Sequence, residues 1–291
     1  MDEIPDQFLP YQGIFDCTKD VFSQGFYDGT LFRFPFRTKP SELSETLYSA
    51  EKMEILFESF EADAHLILLF LQHLESIELY VREESGSDPE RIFQVRIADQ
   101  SLQIVRAKRK EFLAEIKPGK VMTESVTVTY PVTIETVKLD SPVKQHSFLV
   151  TNYFCGGEVS MRFKRLMTDK ELNYLPTVGV AMALPTGPKL QTHDITGHVF
   201  CFLPLPVQKR SLTGLPVHVN GFFALSQNRR YIKSPNADQE DRETSGRQLT
   251  DKSLLWNRCL LEEAIPRAYA TMILEAINEK SFLVPRTSIF K

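Results

Sequence analysis

The sequence predicts an α+β fold: a mixed sheet flanked by helices, with a helical region near the C-terminus. Three observations point there. Runs rich in Val, Thr, Tyr and Phe recur along the chain with strand-like alternation. Segments with helical spacing interrupt them, and the last such pattern begins at Lys252. With 291 residues, 42% of them hydrophobic, the chain buries a sizeable core and divides into two subdomains.

Residues 1–28 are rich in Phe and Tyr without periodicity and read as an irregular lead-in, as though the chain were the rear portion of a larger machine. Gly29-Thr-Leu-Phe-Arg-Phe-Pro-Phe-Arg37 alternates, with Phe32, Phe34 and Phe36 on one face, and predicts a strand that Pro35 confines to an edge or a bulge. Pro40 and Ser41 open a helical region to about residue 74, with Met53, Leu56, Phe57 and Phe60 as its apolar stripe. Ile77, Leu79 and Val81, then Phe93, Val95 and Ile97, alternate on either side of a turn sequence and predict a hairpin. A basic helix follows at residues 105–116, then strands at 121–137 and 147–154. A helix carrying Met161, Arg162, Lys164 and Arg165 leads to strands at 178–184, 197–205 and 217–225. Residues 234–251 carry many charges and almost no aliphatic side chains, so they predict a mobile loop. Leu255, Cys259, Leu260 and Ala264 give a C-terminal helix that Pro266 kinks or restarts, with helical pattern over 252–280 and no closing element after Ser281.

The balance of 34 Lys and Arg against 38 Asp and Glu gives a net charge of −4. That provides no global attraction to nucleic acid or to an anionic membrane, so anion binding must be local. Cys17, Cys155, Cys201 and Cys259 are scattered without C-x-x-C spacing, which argues against a zinc site and a disulfide framework and for a reducing, cytoplasmic setting. The N-terminus has no signal-peptide pattern, and the longest apolar run, Leu66 to Leu71, is too short for membrane insertion.

Phosphate-cradling motifs are missing: neither the P-loop nor Gly-x-Gly-x-x-Gly occurs. Gly156 and Gly157 precede Glu158, which would repel a phosphate, and they read as a strand-to-helix turn. His193, His198 and Cys201 do not form a metal set, because His198 and Cys201 would face opposite sides of a strand. No nucleophile elbow is present, no catalytic residue is assigned, and the four thiols read as idle. Arg106, Lys108, Arg109 and Lys110 read as a solvated helix face. The distinctive stretch is Leu215 to Arg230, where an apolar strand ends on Arg229 and Arg230 beside Gln227 and Asn228. These planar donors suit phosphate oxygens. Salt bridges to the acidic loop that follows, or plain solvent exposure, explain them equally well.

At these residues the chain resembles the sacsin family, specifically its large internal repeats, whose front part is similar to the ATPase domain of the ninety-kilodalton heat-shock chaperone. The matching segments are Tyr11-Gln-Gly-Ile-Phe15, Gly29 to Arg37, Leu56 to Asp63, Leu69-Phe-Leu71, Leu79-Tyr-Val-Arg82, Phe200 to Pro206, Gly214 to Arg230 and Pro266-Arg-Ala-Tyr-Ala270. The resemblance implies that residues 1–75 are the rear part of a GHKL-type ATPase-like α/β sandwich and residues 76–291 a middle, transducer-like domain. The family's ATP-binding helix, its Asp-x-Gly-x-Gly turn and its lid would precede residue 1, so no cofactor is expected on this chain alone, whereas a complete repeat would take ATP with Mg2+. In such chaperones a basic middle-domain residue reaches the terminal phosphate, and Arg229 or Arg230, with Lys233 behind them, occupies the matching place. The implied partners are other repeats of a parent protein, chaperones of the seventy-kilodalton heat-shock family and client proteins. The implied location is cytoplasmic, including association with mitochondria, and the implied role is co-chaperone work in protein folding and quality control without autonomous ATPase activity. A self-contained GHKL-type ATPase with an unrecognised pocket and a pure interaction module are the two rival readings.

Overall fold

A computed structural model describes residues 11–15, 17, 27–42, 44–82, 88–116, 123–184, 196–206, 211–233 and 251–278. The chain divides into two compact units, one of residues 1–63, 78–94 and 138–140, the other of residues 64–77, 95–137 and 141–291. The expected mobile loop lies outside the described residues except for Asp251, as do His193 and the end beyond Asn278.

In the first unit, helix α1 (Ala50–Ile67) contributes its residues up to Asp63. Phe60 meets Phe93 edge-on with ring centroids 6.2 Å apart, and Glu61 pairs with Lys138 at 2.8 Å. The helix begins later than Pro40. Arg37 donates to Ser41 Oγ and to the carbonyls of Ser44 and Thr46, and those contacts hold the preceding segment in a non-helical path. The expected strand over Gly29–Arg37 is not formed either: the segment has no ladder partner among the described residues, and Phe32 and Phe34 are 77% and 81% exposed. Alternation places side chains on faces, but without a partner strand it does not make a sheet.

The remaining elements are β1 (Ser76–Val81), β2 (Glu90–Ile97), α2 (Asp99–Glu115), β3 (Val126–Lys138), β4 (Lys144–Phe154), α3 (Met161–Met167), β5 (Thr177–Ala183), β6 (Val199–Cys201), β7 (Leu203–Pro204) and β8 (Val217–Gly221). After them come α4 (Lys252–Cys259), a π-helical turn (Leu260–Ala264) and α5 (Ile265–Asn278). The strands form one eight-stranded sheet in the order β1-β2-β3-β4-β5-β8-β6-β7. The sheet is mixed, since β6 runs parallel to β8 while β3, β4, β5 and β8 pair antiparallel in turn. The architecture agrees with the α+β expectation.

In the second unit, register decides which side chains share a face. Tyr153 sits opposite Val178 and Val180 opposite Val219, and with Leu149 and Val217 they pack against Phe163, Trp256, Leu260, Ala268 and Met272 from the helices. The alternate residues Phe148, Val150, Asn152, Ala181 and His218 point the other way. Over most of their length strands β4, β5 and β8 are thus buried on both faces, and β5 reads as a nearly continuous apolar run, whereas β8 buries the polar side chains of His218 and Asn220. Strand β3 instead alternates, with Val128, Tyr130, Val132 and Ile134 buried.

Two departures from the expected elements have local causes. The stretch 197–205 is not one strand: Phe202 adopts φ 65° and donates its N–H to Asn220 Oδ1 at 2.7 Å, folding β7 back on β6. Ahead of Pro266 the helix restarts through the π-turn, in which Ile265 N–H reaches back to the carbonyl of Leu260. Proline has no N–H to continue the ladder, and the wider turn absorbs the mismatch. The expected turn at Gly156–Gly157 is present between β4 and α3, with Gly157 at φ 72°.

Gly197 is a close-approach position. A Cβ there would lie 1.9 Å from the carbonyl oxygen of Val217 and 2.5 Å from that of Leu215. Gly197→Ala therefore forces backbone displacement beside β8 and is expected to cost about 2 kcal/mol, read from the urea midpoint. An unchanged midpoint would mean the backbone there is free to move.

Candidate functional site

Beyond β8 the chain stays buried through Phe223 and Ala224 and then forms a tight loop, closed by the bridge between Leu225 and Ile232. Ser226 N–H donates to the carbonyl of Tyr231 at 2.9 Å, and Arg229 N–H to that of Ser226 at 2.8 Å. Asn228 Oδ1 accepts from Ser226 Oγ at 2.8 Å and from Arg230 N–H at 3.1 Å. These bonds hold Arg229 at φ 56°, a left-handed conformation that costs a non-glycine residue.

The base of the loop is fixed by Asn257 of α4, which is 2% exposed. Its Oδ1 accepts from Ala224 N–H at 2.8 Å, while Nδ2 donates to the carbonyls of Ala224 and Lys233 at 2.8 and 2.9 Å. A buried amide with its hydrogen-bonding groups engaged is a rigid pin. Lys233 Nζ pairs with Asp251 at 3.2 Å, and Asp251 also caps α4 through Ser253 N–H. Burial works against the Asp251 carboxylate, but Ser253 N–H and Lys233 together hold its pKa below the usual range.

The three sequence-predicted residues therefore separate. Lys233 is half-buried and committed to an ion pair, whereas Arg229 and Arg230 are exposed at the tip with no ion-pair partner among the described residues. The acidic loop offered as their alternative partner falls outside those residues. The tip presents two guanidinium groups, a donor geometry that in general matches phosphate oxygens. Among the described residues it does not by itself fit a Mg2+-nucleotide: the neighbouring carboxylate there, Asp251, is already engaged by Lys233, and no amide cradle among those residues accompanies the arginines.

Among the described residues no group of three His, Cys, Asp or Glu side chains is arranged to hold a metal ion. The four cysteines are free, and burial pushes the Cys155 thiol up to about 11 and raises Cys201 and Cys259 as well. Raised thiols are poor nucleophiles at neutral pH. No helix among the described residues is long and apolar enough to cross a membrane.

One cluster has no signal in the spacing of the sequence. His65 stacks on His146 with ring centroids 4.0 Å apart, and His218 lies 5.6 Å from His198 and 6.1 Å from Phe148. His218 Nδ1 accepts the His198 backbone N–H at 3.2 Å. The basic helix also departs from its expected solvated face, because Arg109 points inward and is 5% exposed. Helical phase explains it: Ser101, Val105, Arg109 and Phe112 fall on the buried stripe of α2.

Residues 1–94 match the family model described as Sacsin domain. Over 285 residues, 95% of this chain, the sequence is 40% identical to sacsin of Homo sapiens, and the match spans 6% of the length of that relative. The chain is a sacsin-like segment, with a Sacsin domain over residues 1–94.

Proposed function

We propose that this chain is a coupling and structural unit of a sacsin-like co-chaperone for protein folding and quality control, carrying a non-catalytic share of a nucleotide-responsive, GHKL-type repeat. The observation that carries the reading is the pinned loop at Ser226–Lys233, where a strained backbone and the buried Asn257 hold two guanidinium groups, without an ion-pair partner among the described residues, at a fixed tip. Preorganised positive charge of this kind stabilises phosphate charge supplied from elsewhere, because little reorganisation is needed on contact. On this reading residues 1–75 are the rear of an ATPase-like domain, and residues 76–291 relay its state through the sheet to the C-terminal helices. Other repeats of a parent protein, seventy-kilodalton heat-shock chaperones and clients are the proposed partners, in the cytoplasm.

Steady-state ATP turnover tests the division of labour. The chain alone is expected to show none. Turnover that disappears in an Arg229→Ala, Arg230→Ala double variant would favour a self-contained ATPase instead. A client-binding reading is favoured by Phe32 and Phe34, which are exposed and stacked with centroids 6.3 Å apart in the first unit.

A further inference from the structure

Buried charges in proteins are paired, because a desolvated ion without a counter-charge is costly. Arg109 departs from that rule. Its guanidinium is buried, donates to the carbonyls of Leu68 and Leu74 at 2.9 and 3.5 Å, and has no carboxylate partner within ion-pair distance among the described residues. Among the described residues its Nε has no hydrogen-bond partner, and neither has the buried Oε1 of Gln72.

Both side chains line one cavity of about 420 Å3 in the second unit, together with His73, Glu75, Arg106 and Lys110. Three cationic side chains thus face a single carboxylate, and Glu75 is already held by Arg106 through two bonds of 2.7 and 2.6 Å. The Glu75 carboxyl lies below its usual pKa, chiefly because Arg106 donates to it, with the charge of Arg109 adding a smaller share. Even after that pair is formed, the cavity retains the positive charges of Arg109 and Lys110. Its volume lies within the range of small-molecule sites.

We propose that this cavity binds a small phosphate-bearing solute, with Lys110 and Arg106 at its mouth and the buried Arg109 as the charge it neutralises. A phosphate oxygen provides the acceptor that Arg109 Nε lacks, and a rotated Gln72 amide supplies a further donor. The site is distinct from the Arg229–Arg230 loop and does not rest on the proposed role of that loop.

The test is titration of the full chain with inorganic phosphate and with glycerol 3-phosphate at constant ionic strength, with chloride as the control anion. Calorimetric heat and the arginine Nε–H resonances are the readouts. Saturable binding that moves the Arg109 Nε signal is expected, weakened about tenfold in an Arg106→Gln, Lys110→Gln double variant and unchanged in an Arg229→Gln, Arg230→Gln variant. Both substituted positions in the first variant are exposed, its urea midpoint checks that it stays folded without the Arg106–Glu75 pair, and Lys110→Glu alone provides a second check that leaves that pair intact. Tighter binding of the ester than of inorganic phosphate would assign an organic phosphate, and equal affinity would assign recognition of the phosphate group alone. Heat that does not saturate, equal heat from chloride, or binding unaffected by the Arg106, Lys110 and Lys110→Glu changes would overturn the proposal.

Discussion

Trp256→Ala is expected to lower the free energy of unfolding by about 4 kcal/mol, the range for removing a large aromatic side chain from a packed core. Trp256 is fully buried, with Phe163 edge-on at 5.5 Å and Tyr174 at 5.7 Å. Its Nε1 donates to the carbonyl of Phe222 at 2.8 Å, so truncation leaves a cavity and also strands a carbonyl just beyond β8. The loss spreads along α4 to the neighbouring Asn257, which pins the arginine loop. Leu261→Ala, at a position 43% exposed in the π-turn, is the matched control and is expected to cost less than about 1 kcal/mol. Urea unfolding of both variants measures the difference. Similar midpoints for the two would mean that the helices do not pack on the sheet as described.

Acid is expected to destabilise the protein well above the carboxylate range. Burial, followed by the charges of His146, His218 and His198, lowers His65 to about 4, and burial with His198 lowers His218 to about 4. Burial and Lys144 lower His146 as well. In the unfolded chain these rings titrate near 6.5. Between the two values the unfolded state binds more protons, so stability falls as pH falls through that window and is independent of these groups above it. For His218 alone the loss reaches about 2 kcal/mol at pH 5.

Geometry explains the cost. A proton on His218 Nδ1 would destroy the acceptor of the His198 N–H, and charge on His65 or His146 would set like charges in stacked rings. His218→Asn places a carbonyl oxygen where Nδ1 stands and cannot titrate, so the variant is expected to lose about 2 kcal/mol less than the parent between pH 7 and pH 5. Equal losses in parent and variant would exclude His218 as the proton-sensitive group.

Much of the second unit was legible where its strands are long or rich in β-branched residues, as in β3 and β5. The alternation of Val128, Tyr130, Val132 and Ile134 and the apolar run of β5 each identify a strand without knowledge of its partner. Segments whose conformation depends on one distant contact were not legible. Gly29–Arg37 has the pattern of a strand but no neighbour to pair with among the described residues, and Phe202 turns because Asn220 captures its N–H. Arg229 and Arg230 were visible as a pair of charges. What fixes them, Asn257, lies in another helix, and no local pattern marks it as their anchor. The histidine cluster collects residues 65, 146, 198 and 218, so only the register of β4 and β8 against the end of α1 brings it together.

Calorimetric titration of the chain with ATP and Mg2+ bears most directly on the proposed role. In the Arg106→Gln, Lys110→Gln background, where the cavity beside Arg109 is weakened, heat no greater than dilution is expected, because an exposed guanidinium pair with no converging backbone amides or free carboxylate beside it among the described residues offers a phosphate contact rather than a nucleotide site. Tight, saturable binding by this chain alone would contradict that role and place a complete pocket within its own residues.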